Sequence, residues 1–236
     1  MWPFSKKKLS DLGFFEGYTD FHCHILPGVD DGFQEMEQSL SVLDDYARSG
    51  VRKVWLTPHI MEDMPNTTDA LRSRFDELHK AYKGPIELHL AAENMLDGLF
   101  DSRLASRDLL PIGDNGDHLL VETSYYNPPM GLENILAGIM SAGYFPMLAH
   151  PERYNYMTNE RYLKIKNMGV KFQLNLPSLA GFYSRGTYER ARWLLKQGMY
   201  DFIGTDLHNK STWFDILDSS FDSSTRKQLL AIPNKF

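Results

Sequence analysis

The sequence predicts an α/β protein in which parallel strands form a closed or nearly closed barrel. Seven short, largely apolar runs, about 25 to 35 residues apart, have the pattern of buried strands. Nearly all of them are separated by segments with apolar residues at every third or fourth position, which predict amphipathic helices. Such alternation is typical of β/α units with right-handed crossovers, and the 236-residue length suits one barrel. We therefore expect a single domain over residues 18–236 after an N-terminal extension over residues 1–17.

Each predicted element follows from its local pattern. The first strand is predicted in the stretch that begins at Thr19, and the others at residues 51–57, 86–92, 119–121, 144–149, 170–174 and 200–204. The main helices are predicted at residues 35–49, 67–82, 132–142, 161–168 and 188–197. After Ser211 a helical stripe, a Ser/Asp-rich break and a last short helix complete the chain.

Composition and charge argue against several classes of function. The net charge is -6 and the lysines and arginines are scattered, which provides no basic surface for nucleic acid. A single cysteine excludes an internal disulfide framework and is typical of a reducing compartment. No apolar stretch has the length of a signal peptide or a membrane span. We expect a soluble, cytoplasmic protein with no stable membrane insertion and no nucleic-acid partner.

The most informative stretch is residues 19–32, which contains two histidines separated by one residue. Side chains at i and i+2 of a strand point the same way, so His22 and His24 can present two imidazoles to one ion while Cys23 faces the other side. The Pro-Gly and Asp-Asp-Gly turns that follow return a carboxylate, Asp31, toward the strand end. Taken alone, the pattern also fits a strand with two half-buried histidines before an acidic turn.

More imidazole and carboxylate side chains fall at or just past the ends of other predicted strands. Together with the first motif, the candidate metal ligands are His22, His24, Asp31, His59, Glu93, Glu122, His150, Asp206 and His208. The carboxyl ends of parallel barrel strands meet on one face, where such folds carry their active sites. Clustering these groups is costly unless cations compensate, and they are too many for one ion. The sequence therefore predicts two or three divalent metals.

The other histidines and the cysteine have no predicted role in the chemistry. His79 lies on a predicted helix, His89 in mid-strand and His118 at the opposite end of a strand, so we interpret them as surface or core residues. Cys23 does not belong to a Cys-x5-Arg phosphatase loop, because the sixth residue after it is Val29.

These motifs carry a resemblance to a known family. The chain resembles the polymerase and histidinol phosphatase (PHP) superfamily in its metal motifs, which here are His22-x-His24 with Asp31, Pro58-His59, Glu93, His150-Pro151-Glu152-Arg153 and Asp206-x-His208. More narrowly, residues 20–32 and 150–154 resemble the bacterial capsule-type tyrosine phosphatases called CpsB or CapC. The resemblance implies the PHP fold, a distorted seven-stranded (β/α)7 TIM-like barrel, and manganese-dependent hydrolysis of protein phosphotyrosine.

The resemblance also implies how the ligands divide among ions. The implied sets are His22, His24, Glu93 and Asp206; Glu93, Glu122 and His150; and Asp31, His59 and His208. Imidazole and carboxylate ligands suit manganese, iron or zinc, and the resemblance favours manganese. A metal-activated hydroxide would attack phosphorus while the Arg153 guanidinium binds the phosphate. The alternative for Arg153 is an ion pair with Glu152 or a loop carboxylate.

The chain departs from the family at the end of the last motif. Family members often place another arginine a few residues beyond Asp-x-His, where this chain has Asn209 and Lys210. Lys210 would be a weaker phosphate contact, and Asn209 is a candidate to orient a metal ligand.

Three functions stay open from the sequence. The first is a protein-tyrosine phosphatase acting on a bacterial tyrosine kinase or another protein of capsule or exopolysaccharide synthesis. The second is a small-molecule phosphoesterase of the histidinol-phosphate or nucleotide class, and the third is a non-catalytic metal-binding module. Several aromatic residues are near the predicted site. Two roles are open for them, stacking on a substrate ring and packing in the core or rim: Tyr125, Tyr126, Tyr154, Tyr156, Phe182 and Tyr183.

Overall fold

The structure, a computed structural model, describes residues 6–236. Its strands in chain order are β1 (Lys7–Lys8), β2 (Thr19–Cys23), β3 (Lys53–Leu56), β4 (His59–Ile60), β5 (Glu87–Leu90), β6 (Glu93–Met95), β7 (His118–Glu122), β8 (Phe145–Ala149), β9 (Lys171–Asn175), β10 (Phe202–Gly204) and β11 (Ser220–Phe221). Its helices are α1 (Met36–Ser49), α2 (Thr68–Ala81), α3 (Phe100–Ser106), α4 (Leu132–Ser141), α5 (Asn159–Asn167), α6 (Leu176–Ala180), α7 (Arg185–Lys196), α8 (Lys210–Asp218) and α9 (Ser223–Leu230). Short 3₁₀ turns lie at Ser10–Leu12 and Pro151–Arg153.

The predicted helices are present, with ends that capping groups fix. At the start of α1, Glu35 and Gln38 each accept a hydrogen bond from the other's backbone N–H. The helix ends at Gly50, whose φ of 101° lies in the left-handed region that glycine adopts at little cost. At the start of α2, the Thr67 hydroxyl accepts from the backbone N–H of Ala70. The sequence does not predict α3 and α6, because seven and five residues are too few to show a helical repeat.

The central strands are parallel, as predicted, but they divide into two sheets. One sheet has the order β2-β3-β5 and the other β10-β9-β8-β7-β6-β4. The division arises because the predicted strands over residues 51–57 and 86–92 each break and then continue as a second short strand. Pro58 has no N–H to donate and interrupts the first, although its carbonyl still accepts from the N–H of Glu93 at 3.1 Å. The result is a curled parallel sheet in two sections.

Backbone hydrogen bonds also join β2 to the chain that follows β10. The N–H of His24 donates to the carbonyl of Leu207 at 3.0 Å, and the N–H of Asp206 donates to the carbonyl of His22 at 2.7 Å. At the opposite end of the same two strands, the Asn234 side chain donates to the Thr19 carbonyl at 3.1 Å and accepts from the Ile203 N–H at 2.8 Å. These contacts hold the ends of β2 and β10 side by side.

Apolar residues form two clusters. The smaller contains residues on or next to the strands: Phe21, Trp55, Ala91, Ile112, Leu120, Met147, Ala149 and Phe202. The larger packs strands against helices. Phe21 belongs to the smaller cluster and Cys23, only two residues further, to the larger. Side chains two residues apart on a regular strand face the same side, but β2 is irregular here. The three residue steps from Asp20 to Cys23 lie opposite only two steps of β3, as in a β-bulge.

Residues 6–17 of the predicted N-terminal extension pack against the rest of the chain. β1 pairs antiparallel with β11. Leu9 and Phe15 are buried, and the Phe15 ring centroid lies 4.7 Å from that of Trp213. The first five residues of the predicted extension lie outside the described residues. Among residues 6–236, no helix combines the length and the apolar character needed to span a membrane.

Gly204 provides a test of how closely β10 packs on β2. A Cβ atom at this position would lie 2.5 Å from the Cβ of His22 and 2.6 Å from Nε2 of Gln173, so Gly204→Ala must displace neighbouring atoms. We expect it to lower the free energy of unfolding by about 1–3 kcal/mol, the usual cost of overpacking. Chemical denaturation followed by circular dichroism measures this change.

The matched control is Gly138→Ala on α4, where an added Cβ meets no atom within 4 Å. This variant is expected to keep or raise the stability, by about 0.5–1 kcal/mol, because alanine favours helix more than glycine does. A Gly204→Ala protein as stable as the wild type would contradict the close packing.

Candidate metal centre

The structure brings the nine predicted ligands together at the carboxyl end of the strands. Seven of them are buried, namely His22, His24, His59, Glu93, Glu122, His150 and Asp206. The other two lie at the rim, where the side chain of His208 is 28% exposed and that of Asp31 55% exposed. The group therefore has a buried interior and one edge that faces solvent.

The Glu93 carboxylate lies at the centre of the group. Its Oε2 is 3.2 Å from Nε2 of His22, 3.4 Å from Nε2 of His24 and 3.2 Å from Nδ1 of His59. Its Oε1 is 2.9 Å from Nε2 of His150. Four imidazoles thus meet at one buried carboxylate, two of them, His22 and His24, from the end of β2.

Asp206 contacts the first pair of histidines from the other side. Its Oδ1 lies 3.5 Å from Nε2 of His22 and 3.3 Å from Nε2 of His24, and these two nitrogens are 3.1 Å apart. With Glu93, these side chains form a set of two imidazoles and two carboxylates around one point, which suits a divalent cation.

A second set contains three potential metal-ligand atoms that have no hydrogen-bond partner within residues 6–236. Nδ1 of His59 is 3.1 Å from Oε1 of Glu122 and 3.2 Å from Oε2 of Glu93. All three atoms are buried, yet none has a hydrogen-bond partner. Buried polar atoms without partners are costly, and atoms that converge on a common centre are arranged as ligands of an ion. The residues present therefore fit a bound divalent metal.

A third set lies at the rim. Oδ1 of Asp31 is 3.3 Å from Nε2 of His208 and 3.6 Å from Nε2 of His59. His24 also belongs to this set, since one ligand atom from each of these four residues lies within 4.8 Å of the others. The observed sets thus overlap more than the resemblance implies, because His24 and His59 each lie between two of them.

Three histidines are oriented by acceptors on their Nδ1 atoms. Nδ1 of His22 lies 2.9 Å from Oε1 of Gln173, and Nδ1 of His24 lies 2.8 Å from Oδ2 of Asp30. Nδ1 of His208 lies 2.8 Å from the carbonyl oxygen of Asp206. An acceptor on Nδ1 selects the tautomer that leaves Nε2 free to bind a metal. The second ring nitrogen of each histidine is therefore aimed into the centre.

The electrostatics of the cluster couple acids to bases. Burial opposes protonation of His22, but the carboxylates of Glu93 and Asp206 outweigh it and raise the pKa of His22 to about 9. At the rim, the hydrogen bond from His208 lowers the pKa of Asp31 to about 2. Burial opposes ionisation of Glu93 and Asp206, but the charge of His22 outweighs it and lowers the pKa of both well below the usual range. These carboxylates and Asp31 are therefore ionised, which is the state that binds metal ions.

Two of the predicted ligands have a left-handed backbone. His150 has φ 31° and Asp206 has φ 50°, a conformation that non-glycine residues rarely adopt. Such strain persists where surrounding contacts enforce it, often at functional sites. At His150 the backbone N–H is held by Oε1 of Gln173 at 3.2 Å.

Arg153 lies beside the cluster and forms the ion pair that the sequence left open, with Asp206 in the loop after β10 and not with Glu152. Its Nη1 donates to Oδ2 of Asp206 at 2.8 Å. Glu152 is engaged elsewhere, since its carboxylate accepts from the backbone N–H of Asn175 at 2.9 Å and from the Tyr200 hydroxyl at 3.0 Å. The guanidinium is therefore next to the candidate metal ligands.

The model of the family described as "Capsular polysaccharide synthesis, CpsB/CapC" matches residues 18–228. The chain belongs to the CpsB/CapC family. It is 30% identical over 199 residues to the tyrosine-protein phosphatase YwqE of Bacillus subtilis (strain 168), covering 82% of this chain and 78% of YwqE. It is also 30% identical over 209 residues to the tyrosine-protein phosphatase CpsB of Streptococcus agalactiae serotype V, covering 80% of this chain and 82% of that protein.

A solved structure supports the same relationship at the level of the fold. It comes from a crystallographic description of YwqE from Bacillus subtilis and CpsB from Streptococcus pneumoniae as unique metal-dependent tyrosine phosphatases. The TM-score is 0.76 at 26% sequence identity, over 90% of this chain and 85% of that chain. The mixed α/β fold therefore matches that of the CpsB/CapC family.

The sequence analysis did not identify the residues that orient the candidate metal ligands. Asp30 and Asp31 are adjacent in one turn, and only the folded loop shows that Asp30 faces His24. Gln173 and Asn175 carried a weak signal, since both are polar residues that lie buried in β9 and alternate with the apolar residues Phe172 and Leu174.

The structure gives Asn209 and Lys210 partners outside the candidate metal centre. The Asn209 side chain caps α8 by accepting from the N–H of Thr212 at 3.0 Å, so it orients no metal ligand. The Lys210 ammonium lies 2.7 Å from Oγ of Ser41 and 2.7 Å from Oδ2 of Asp45, so it is directed at α1.

The other three histidines lie outside the described metal sets. His79 is on α2 beside Phe75, His89 stacks on Trp55, and His118 pairs with Asp117.

Metal binding should be visible as a change in thermal stability. Adding Mn²⁺ to chelator-treated protein is expected to raise the melting temperature, because an ion that binds only the folded chain stabilises it by about 2.7 kcal/mol at one hundred times its Kd. Glu93→Gln keeps the side-chain shape but removes the central charge, so it should abolish most of this shift. Differential scanning fluorimetry measures both proteins.

His79→Gln, on α2, is the control and should respond to Mn²⁺ as the wild type does. An equal shift in Glu93→Gln and wild type would show that the ion binds elsewhere.

Proposed function

We propose that this chain is a metal-dependent protein-tyrosine phosphatase of capsule or exopolysaccharide synthesis. The observation that carries the proposal is the buried set of imidazoles and carboxylates with a guanidinium at its edge. Membership of the CpsB/CapC family and the names of the relatives, which are tyrosine-protein phosphatases, support it.

The proposed cofactor is a group of two or three divalent ions, with manganese first and iron or zinc as alternatives. His22, His24, Glu93 and Asp206 would hold one ion, and Glu93 would bridge to a second. The further ligands are His59, Glu122 and His150 inside the centre and Asp31 with His208 at the rim. When bound, such ions activate water for attack on phosphorus and neutralise the charge of the phosphate oxygens.

Arg153 is the proposed phosphate-binding residue. Burial opposes its charge, but Asp206 outweighs the effect and raises the pKa of the guanidinium, which stays protonated. Its Nη1 is held by Asp206, while Nε and Nη2 form no hydrogen bond within residues 6–236. These two donors have the spacing that matches two phosphate oxygens.

The finer architecture and setting are proposed on the same basis. We infer that the curled sheet is a distorted seven-stranded barrel, with β3 and β4 as one strand unit, β5 and β6 as another, and β2 next to β10. A single phosphatase domain would occupy residues 18–236. The proposed partner is a phosphotyrosine protein in the cytoplasm, such as the tail of a bacterial tyrosine kinase.

A substrate panel tests the reaction. Phosphotyrosine peptide, phosphoserine peptide and histidinol phosphate are each assayed for phosphate release with Mn²⁺ and with chelator. We expect hydrolysis of the phosphotyrosine peptide alone, loss of activity with chelator, and an inactive but folded His150→Ala protein, because His150 contacts the central carboxylate.

The same panel identifies the competing functions. Hydrolysis of histidinol phosphate without hydrolysis of the peptide would indicate a small-molecule phosphoesterase. Metal binding without turnover of any substrate would indicate a non-catalytic module.

Substitution of Arg153 tests phosphate recognition. Arg153→Lys keeps the charge but loses the planar fork, so kcat/KM for phosphotyrosine peptide is expected to fall about 10²-fold, as when one aligned transition-state donor is removed. Metal content, measured by atomic emission, should not change. Wild-type activity in Arg153→Lys would exclude a bidentate contact.

A further inference from the structure

Two tyrosine rings flank the Arg153 guanidinium. Its Cζ lies 4.3 Å from the ring centroid of Tyr125 and 4.5 Å from that of Tyr183. Both distances are within the range of cation–π attraction, which is stronger where the cation is shielded from water. The Arg153 side chain is only 19% exposed, so this is a shielded contact.

Tyr183 is tied to the metal centre through a closed loop of contacts. Nδ2 of Asn175 donates to the Tyr183 hydroxyl at 3.3 Å and to Oδ2 of Asp206 at 2.9 Å. The same Oδ2 accepts from Nη1 of Arg153 at 2.8 Å. The Arg153 guanidinium in turn lies over the Tyr183 ring, which completes the loop. Asn175 is itself fixed, because its backbone N–H donates to Glu152.

Tyr125 is supported by aromatic packing. Its ring centroid lies 6.2 Å from that of Tyr154, at an interplanar angle of 26°, and 5.8 Å from that of His150. Tyr154 is buried and its hydroxyl donates to the Ala149 carbonyl at 2.9 Å. Tyr125 therefore rests on the end of β8, the strand that also presents His150.

We propose that Tyr125 and Tyr183 are positioning residues that hold Arg153 so that only its Nε and Nη2 edge meets the phosphate. A long, flexible arginine would otherwise lose rotamer freedom on binding, whereas a guanidinium already fixed between two rings does not. This inference rests on the proposed role of Arg153. It departs from the simpler interpretation in which these tyrosines stack on the aromatic ring of the substrate.

Inorganic phosphate distinguishes the two interpretations because it has no ring. Tyr125→Leu and Tyr183→Leu, prepared as Mn²⁺-loaded proteins, are expected to raise the inhibition constant of phosphate about tenfold, together with KM for p-nitrophenyl phosphate. Tyr125→Phe keeps the ring face and should stay within about twofold of wild type, whereas Tyr183→Phe also loses the hydroxyl that accepts from Asn175 and should lie between wild type and Tyr183→Leu. Tyr183 is 39% exposed, so its truncation leaves the core intact.

A second measurement tests whether the tyrosines act through Arg153. In an Arg153→Ala background, Tyr183→Leu should cause no additional loss of phosphate binding, since coupled residues are not additive. Tyr188→Leu is the matched control, because the Tyr188 ring lies 5.8 Å from Cζ of Arg192 in a similar pair outside the centre. This variant should bind phosphate as the wild type does.

Three results would overturn the inference: an unchanged phosphate constant in both leucine variants, a change confined to the aryl substrate, or full additivity with Arg153→Ala. Absence of turnover would contradict the proposed function and not this inference. In that case isothermal titration of the Mn²⁺-loaded proteins with inorganic phosphate makes the same comparison.

Discussion

The contact on which the site depends is the convergence of four imidazoles on the Glu93 carboxylate. Its two oxygens lie 2.9–3.4 Å from nitrogens of His22, His24, His59 and His150, with no exposure to solvent. An unpaired buried carboxylate costs several kcal/mol, so these partners must be held in place. The histidines come from three different strand ends and Glu93 from a fourth, and the sheet must therefore curl far enough to bring them to one point.

The breaks in two strands are part of how this happens. Pro58 ends β3, and the chain resumes as β4 with His59 as its first residue, directly paired with Glu93 of β6. The register is kept across the break, since Leu56 of β3 faces Leu90 of β5 and His59 of β4 faces Glu93 of β6, in both cases 34 residues further along the chain. The break at Pro58 moves this pair into the second sheet, where Glu93 also faces Leu120 of β7, so that His59 and Glu93 lie beside the strand that ends at Glu122.

The strand ends were predictable because apolar runs and the polar residues after them are local patterns. All nine candidate ligands come together on this basis, since parallel strands deliver their ends to one face. The contacts that orient them were not predictable: Asp30 and Asp31 are chemically identical neighbours, and which one meets His24 is decided by the loop. The contact of Lys210 was not predictable for a similar reason, because its partner Asp45 is distant in sequence.

Asp206 links the candidate metal centre to the proposed phosphate-binding residue. Its two carboxylate oxygens have different partners. Oδ1 lies 3.3–3.5 Å from Nε2 of His22 and His24. Oδ2 accepts hydrogen bonds from Arg153 at 2.8 Å and from Asn175 at 2.9 Å. A displacement of Asp206 therefore alters a metal ligand and the arginine together. The φ of Asp206 is 50°, an unfavourable backbone conformation. The hydrogen bond from its backbone N–H to the His22 carbonyl helps to maintain it. The hydrogen bonds between β2 and the chain after β10 thus hold in place both the candidate metal ligands and the guanidinium that is proposed to bind phosphate.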